Sequence, residues 1–274
     1  MAPRSVFPLL VFAALAALFA MTYAASARQR QDSRAGEATA QPGPAPAPAV
    51  PAPAVPAAAP AEPAPKPKPK PKPMRGIHRI AVVDGSVPLR ARPNGRVLVR
   101  AGASTEFGGR RVLSIAARRG PWLGVVATEM PNGQLAWVNR KNPALHVRRT
   151  AYSLHADLSG RWLELRRRGR RIRRLTVAVG RPGSETPTGR FAVTDKLNGR
   201  SFGSYYGCCV LALNGHQPKL PAGWAGGDRL AIHGTNAPGT IGAAASAGCL
   251  RAGDADLQVL MQRVPLGTPV FIRD

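Results

Sequence analysis

The chain has 274 residues, enough for one or two ordinary domains. Its 39 Lys and Arg against 14 Asp and Glu give a formal net charge of +25, which favours a polyanionic partner such as nucleic acid, anionic lipid or another anionic polymer. Aromatic residues make up 5% of the chain, and this scarcity argues against nucleic-acid binding by base stacking. The three cysteines lack a Cys-x-x-Cys spacing, so we expect no metal site.

The first segment, residues 1–27, has the pattern of an export element. Arg4 is followed by a nearly uninterrupted apolar run over residues 5–25, and the positive charge before this run places the remainder of the chain outside the cytoplasm. Ala25-Ser26-Ala27 fits a small-x-small cleavage site. A cleaved signal peptide and an uncleaved membrane anchor both fit the pattern, and the second alternative would make the membrane a partner.

Residues 28–74 are rich in Pro and Ala and end in an alternation of Lys and Pro over residues 66–73. Proline fixes φ and lacks an amide hydrogen, so this segment favours an extended polyproline II spacer. We interpret it as a stalk whose lysines contact anionic polymers, or as a linker alone.

Residues 75–149 consist of short Val- and Leu-rich runs broken by Gly, Pro and Asn-Gly, which predicts a small β-barrel. Residues 87–95 resemble the opening of bacterial SH3-like modules, and the runs around Trp122 and Trp137 resemble their later strands. The resemblance implies a module that binds cell-wall peptide. A structural cap on the next domain is the alternative.

Residues 150–274 are predicted to be mainly β with one short helix near the C-terminus. Asp254 is expected to cap that helix and Pro265 to stop it. The eight arginines over residues 161–174 indicate a solvated face, with an anion site as the alternative. The predicted strands are 153–157, 161–167, 171–179, 191–194, 229–233 and 269–273, and the predicted helix is 254–264.

A histidine and a cysteine stand out in this last segment. His233 ends a predicted strand, and Cys249 follows after fifteen intervening residues. A thiol is a strong nucleophile when it is ionised, and a nearby imidazole can accept its proton. Gly248 allows close backbone approach to a substrate, and the amides of Gly248 and Cys249 are candidates for an oxyanion hole. Taken alone, this spacing is more often structural than catalytic.

Residues 246–251 read Ser-Ala-Gly-Cys-Leu-Arg, and with the upstream His233 they resemble the signature of the YkuD family of L,D-transpeptidases. Residues 177–180 with 186–191, and the closing residues 264–272, resemble two further segments of that family. The resemblance covers about 120 residues with three motifs in order. It implies a YkuD-type β-sandwich preceded by the small SH3-like β-barrel.

The resemblance also implies a chemistry. Cys249 would attack a peptidoglycan stem peptide and release its terminal D-alanine, and the acyl group would pass to a neighbouring stem in a 3→3 cross-link. His233 would be the base, oriented by the carbonyl of Gly234. No metal or organic cofactor is required, the enzyme would act at the cell wall or the outer face of the cytoplasmic membrane, and carbapenem-type inhibitors are expected to bind. Residues implied near the oxyanion or the substrate are Ser246, Gly248 and Arg251.

Two aromatic residues, Tyr205 and Trp224, lie where the family has a substrate-covering segment, and they would line the donor site or serve in packing. Cys208 and Cys209 are adjacent, and we expect burial rather than a disulfide. Ala247 replaces the second histidine that the family pattern has before Gly-Cys. The alternatives are therefore an L,D-carboxypeptidase or protein-to-wall attachment enzyme on the same site, or a catalytically impaired wall-binding scaffold.

Overall fold

The computed structural model describes residues 75–274, which form two main sheets. The predicted export element and the Pro-rich segment lie outside the described residues. No helix of the described part is long and apolar enough to cross a membrane.

The first sheet has seven strands in the order β3-β2-β6-β5-β4-β1-β7, with antiparallel pairing throughout. Its inward side chains, such as Val83, Leu89, Leu123 and Val125, form a separate hydrophobic core. Gly120 has a φ of 55°, which suits the tight turn between the fourth and fifth strands. The strands are β1 (His78–Val83), β2 (Val87–Arg90), β3 (Val97–Ala101), β4 (Val112–Arg119), β5 (Trp122–Val126), β6 (Ala136–Asn139) and β7 (Leu145–Thr150).

The second sheet has eight strands in the order β10-β9-β8-β17-β12-β13-β14-β16, and β11 pairs with β15 beside it. The strands are β8 (Tyr152–Asp157), β9 (Trp162–Arg167), β10 (Arg170–Thr176), β11 (Val179–Gly180), β12 (Gly189–Asn198), β13 (Cys209–His216), β14 (Arg229–His233), β15 (Ala244–Ser246), β16 (Leu250–Arg251) and β17 (Pro269–Arg273). The mainly β class predicted from the sequence is confirmed. The SH3-like character of the first sheet and the domain boundaries stay predictions.

One α-helix, α1 (Asp254–Arg263), is present among residues 75–274, and it packs on β13. Leu257 and Leu260 are buried in the core of the second sheet. The cap differs from the prediction, because the N-cap residue is Gly253 and makes no side-chain hydrogen bond. Asp254 is instead the first helical residue, where its charge suits the positive end of the helix dipole.

The strand β13 was missing from the sequence prediction, yet it lies at the centre of the second sheet between β12 and β14. Seven of its eight residues are buried. A short apolar run of this kind has no alternation that separates a strand from other buried segments. Its pairing with β14 sets the position of the strand that ends at His233.

Candidate active site

The parallel pairing of β14 with β16 brings His233 and Cys249 to the same place. In this pairing Ile232 lies beside Leu250, and His233 lies beside Arg251. Ile232 and Leu250 belong to the hydrophobic core. Because side chains alternate along a strand, His233 and Arg251 take the opposite face. Cys249 directly precedes β16, and its cleft is bordered by Tyr205 and Tyr206, the two rings that contact His233.

The His233 imidazole is buried and held in one tautomer. Its Nδ1 lies 2.6 Å from the carbonyl oxygen of Gly234, which can only accept, so Nδ1 donates and Nε2 carries the lone pair. Burial lowers the pKa of His233 to about 4, so the ring is neutral at neutral pH. Nε2 is buried without a hydrogen-bond partner among residues 75–274. A buried acceptor without a partner is costly, and the lone pair of this nitrogen is available to accept a proton or a hydrogen bond.

Two tyrosines cover the imidazole. The ring centres of Tyr206 and Tyr205 lie 4.9 Å and 5.6 Å from that of His233. Trp224 in turn packs on Tyr205, with ring centres 5.8 Å apart. These rings explain why a histidine on the outer face of the sheet has no exposed surface. Tyr205 and Trp224 therefore pack together and also border the cavity described below.

The backbone of Gly234 is held by close packing. A Cβ at Gly234 would lie 2.9 Å from Cα of Gly207 and 2.3 Å from a carboxylate oxygen of Asp254. Its N–H donates to the carbonyl of Cys209 at 3.0 Å. Cys209 forms a disulfide with Cys208, which differs from the expected pair of separately buried thiols. The carbonyl that orients His233 therefore belongs to a tightly packed segment.

The Cys249 thiol is partly buried and donates a long hydrogen bond of 3.8 Å to the backbone carbonyl of Arg229. Burial raises the pKa of Cys249 to about 11, against the opposing effects of a hydrogen bond with the Ala231 backbone and the charge of Arg251. The resting thiol is therefore neutral. Within the described residues no hydrogen bond joins the thiol to His233.

The turn before Cys249 is held by Ser246. Ser246 is 1% exposed, and its hydroxyl accepts from the Gly248 N–H at 3.1 Å and donates to the Cys249 carbonyl at 2.6 Å. Ser246 therefore closes the turn, and the predicted substrate-side roles of Ser246 and Gly248 stay predictions. Because the Gly248 amide is engaged by Ser246, the Cys249 amide is left as the candidate oxyanion donor.

Gln217 is a site residue that sequence reasoning missed. It is 5% exposed, and its Nε2 donates to the carbonyls of Ser184 at 3.3 Å, Glu185 at 3.0 Å and Ala247 at 3.2 Å. A Cβ at Gly248 would lie 1.9 Å from this nitrogen, and the φ of Gly248 is 118°. Glycine precedes the cysteine because the Gln217 side chain approaches the backbone there. No local sequence pattern predicts that a single glutamine has this role.

A cavity of about 290 Å³ opens beside the pair. Ala247 borders both this cavity and a narrower cleft that reaches Cys249. Since Ala247 has only a methyl group, it adds no polar group to the cavity wall. The cavity is lined by Arg181, Tyr205, Pro221, Ala222, Gly223, Trp224, Ala245, Ala247 and Arg251.

Arg251, which lines that cavity, is a buried cation without a counter-charge among the described residues. It is 4% exposed, forms no ion pair with a carboxylate of residues 75–274, and its Nε has no hydrogen-bond partner there. Arg181 contributes a second cation to the same cavity, and no carboxylate lines it. A buried guanidinium without a counter-charge is costly. The cavity is therefore suited to an anionic group.

The second half of the described residues is similar to known proteins. Residues 151–272 match the family model of the L,D-transpeptidase catalytic domain, YkuD. YkuD of Bacillus licheniformis, provisionally described as an L,D-transpeptidase, is 36% identical over 123 residues, which cover 44% of this chain and 65% of that protein. YkuD of Bacillus subtilis, described in the same way, is 33% identical over 123 residues with the same coverage. The chain thus spans 65% of the length of these curated relatives.

Among solved structures, an L,D-transpeptidase from Mycobacterium smegmatis aligns at 17% identity with a TM-score of 0.40, covering 73% of this chain and 93% of that one. The match over residues 151–272 agrees with the resemblance seen in the sequence there.

Proposed function

We propose, from the premise that residues 151–272 form a YkuD-type L,D-transpeptidase catalytic domain, that the chain forms 3→3 peptidoglycan cross-links through a Cys249 acyl-enzyme. One observation carries the assignment of residues. The buried Nε2 of His233 has no partner among the described residues, and Tyr205 and Tyr206, which contact this imidazole, border the cleft that reaches Cys249. A neutral imidazole with a free lone pair is a general base, and a neighbouring thiol is the group it would deprotonate.

Acylation starts from a neutral pair, because burial lowers the pKa of His233 to about 4 and raises that of Cys249 to about 11. The thiol turns from the Arg229 carbonyl towards the imidazole as the donor stem binds. Sulfur then bonds to the carbonyl carbon between the third stem residue and D-alanine, and its proton passes to Nε2 of His233. The C–N bond breaks, and His233 returns the proton to the leaving amine of D-alanine.

The tetrahedral intermediate carries a negative oxygen, which needs a hydrogen-bond donor close to the sulfur. The Cys249 amide is the donor that we assign, because Gly248 already donates to Ser246. Gln217 holds the carbonyl of Ala247, and this contact keeps the turn in place while the charge develops.

The cavity beside Cys249 is the proposed site of the donor stem. Arg251 is buried without a counter-charge, and Arg181 shares the cavity, so a carboxylate of the donor stem would complete the site. Tyr205 and Trp224 supply the aromatic wall that would cover the peptide.

In the second step a side-chain amine of the third residue on a neighbouring stem attacks the thioester carbonyl carbon. The C–N bond forms, the C–S bond breaks, and the amine proton passes through His233 to the Cys249 sulfur. Water as acceptor would make the enzyme an L,D-carboxypeptidase, and a protein amine would make it an attachment enzyme. Ala247 leaves the cavity wall without a second imidazole, and a wall-binding scaffold is the outcome if His233 and Cys249 alone do not suffice.

A direct assay separates these outcomes. The full-length chain is incubated with tetrapeptide-stem muropeptides, and the products are weighed by mass spectrometry. Loss of D-alanine with a joined dimer is the expected result. Loss of D-alanine without a dimer identifies the carboxypeptidase, and unchanged substrate identifies the scaffold.

We further propose that the protein acts outside the cytoplasm, at the wall or on the outer face of the membrane. The apolar run at residues 5–25 and the net charge of +25 support this placement, since anionic wall polymers would attract the chain. Fractionation of cells with an antibody against the chain tests the placement, and recovery in the cytoplasm would contradict it.

A further inference from the structure

The loop between β3 and β4, residues 102–111, reaches from the first sheet to the second. We infer that Glu106 and Phe107 in this loop are positioning residues for the pair Cys249 and His233. The inference rests on the proposed function. It assigns the first sheet a part in the site that neither its composition nor the family match indicates.

Glu106 supports the cysteine through Arg229. Its carboxylate forms an ion pair with the Arg229 guanidinium, whose Nε also donates to the Leu213 carbonyl at 2.9 Å. Arg229 is largely buried, and burial lowers its pKa to about 10, so it is still charged at neutral pH. The backbone carbonyl of the same residue accepts from the Cys249 thiol. A shift of Arg229 would therefore move the resting partner of the nucleophile.

Phe107 supports the histidine through a chain of aromatic rings. Its ring centre lies 6.1 Å from that of Phe202 in an edge-to-face arrangement. Phe202 makes the same kind of contact with Tyr206 at 6.0 Å, and Tyr206 lies 4.9 Å from His233. Edge-to-face contacts at these distances are favourable. The guanidinium of Arg229 also lies 5.8 Å from the Phe107 ring, which joins the two branches.

The loop is fixed where it meets the second sheet. The Thr105 hydroxyl donates to the Asp195 carboxylate at 2.5 Å, and Asp195 lies on β12 with 2% of its surface exposed. A Cβ at Gly109 would lie 2.3 Å from the same carboxylate, so a larger residue there would displace the Asp195 side chain. The contact of Thr105 with Asp195 attaches the loop to the second sheet. Glu106 and Phe107 make further contacts with Arg229, whose backbone carbonyl contacts the Cys249 thiol.

The test uses the full-length chain and the variants Glu106→Gln, Glu106→Asp and Phe107→Leu. Asp256→Asn is the matched control, because it breaks the exposed Asp256–Arg173 ion pair away from the site. The rate constant for acylation by a carbapenem is separated from its binding constant by stopped-flow kinetics, and thermal unfolding shows that each variant is folded.

We expect acylation to slow about tenfold in Glu106→Gln and in Phe107→Leu with little change in the binding constant. Glu106→Asp should restore part of the rate, and Asp256→Asn should match the wild type. A folded Glu106→Gln chain that is acylated at the wild-type rate overturns the inference.

Alkylation of Cys249 by iodoacetamide without reductant gives a readout that needs no turnover, since Cys208 and Cys209 are joined. Glu106→Gln frees the Arg229 side chain and so loosens the backbone carbonyl that the Cys249 thiol contacts. The rate of alkylation at a fixed pH should therefore rise, and Glu106→Asp should restore the wild-type rate. A wild-type chain that is not acylated overturns the proposed function, and the alkylation rate of Glu106→Gln then decides this inference separately.

Discussion

Two regions of the second sheet bury an ionisable group, and they differ in how many hydrogen-bond partners that group has. Glu164 on β9 is 2% exposed and accepts hydrogen bonds from Arg166, Arg171 and Arg174 at 2.6–3.1 Å. Burial alone would raise its pKa, but these bonds outweigh burial, and the pKa of Glu164 lies at about 2. His233 is buried with one nitrogen satisfied and the other unpartnered among the described residues.

The difference separates a structural group from a candidate catalytic one. Both groups have shifted pKa values, so a shift by itself does not distinguish them. Glu164 has every strong partner that it needs and borders no cavity among those described. His233 has a buried nitrogen without a partner among the described residues and lies under Tyr205 and Tyr206, which border the cleft at Cys249. The arginines of this region are mostly exposed, as the sequence expectation of a solvated face requires, and Glu164 and Asp256 engage four of them.

Removal of the imidazole should give the largest effect. We expect His233→Gln to slow acylation of Cys249 by about 10²- to 10⁴-fold, because the imidazole is the base that we assign to the thiol. The wild-type rate should rise as pH passes about 4 and then stay level through neutral pH, since His233 is already unprotonated. Single-turnover kinetics with a carbapenem measure both, and a Glu164→Gln chain with the same loss would erase the contrast between the two regions.

Folding stability should depend on pH through His233. In the unfolded chain the imidazole takes up a proton near pH 6.5, whereas in the folded chain it does so near pH 4. The unfolded state therefore binds more protons in between, and the free energy of unfolding should fall by up to about 3 kcal/mol from pH 6.5 to pH 4. Urea unfolding across this range measures the slope. A slope that His233→Gln does not reduce would contradict the account.

Loss of the charge at Glu164 should act on stability alone. We expect Glu164→Gln to lower the free energy of unfolding by about 2–3 kcal/mol, because three guanidiniums lose a shared carboxylate. The acylation rate of the folded variant at 25 °C should equal that of the wild type. Urea unfolding and acylation kinetics are measured together, and a variant as stable as the wild type would show that the cluster is only a surface feature.

The smallest effect is expected at Gln217. Gln217→Met keeps the length of the side chain but removes the donor to the carbonyls of Ser184, Glu185 and Ala247. We expect acylation to slow about tenfold through looser placement of the Cys249 amide. The rate constant for acylation and the thermal midpoint are measured in parallel. An unchanged rate would show that Ser246 alone holds the turn.

Much of the local structure could be predicted from the sequence. The strand at Arg229–His233, the strand at Pro269–Arg273 and the helix from Asp254 have local signals in alternation, spacing and proline, and the structure places them there. His233 and Cys249 were candidates because the motif around them is contiguous. Ser246 was in that motif too, but its hydroxyl bonds the turn rather than facing the cavity.

The remainder depends on contacts between distant segments. Gln217 meets Ala247 across 30 positions, and Glu106 meets Arg229 from another sheet. Neither contact leaves a periodic pattern, because each is made by one side chain at the end of a loop or strand. The satisfied state of Glu164 likewise depends on how β10 pairs with β9, with a register shift between Arg171 and Arg173. Such features follow from tertiary packing and not from local propensity.

The intact mass of the full-length chain after incubation with a carbapenem tests most directly whether Cys249 is the nucleophile. We expect one covalent adduct on the wild type, mapped by peptide digestion to Cys249, and none on Cys249→Ala. His233→Gln should reach the same adduct far more slowly. An unmodified wild-type mass, or an adduct that persists in Cys249→Ala, would contradict the assignment of Cys249 as the nucleophile.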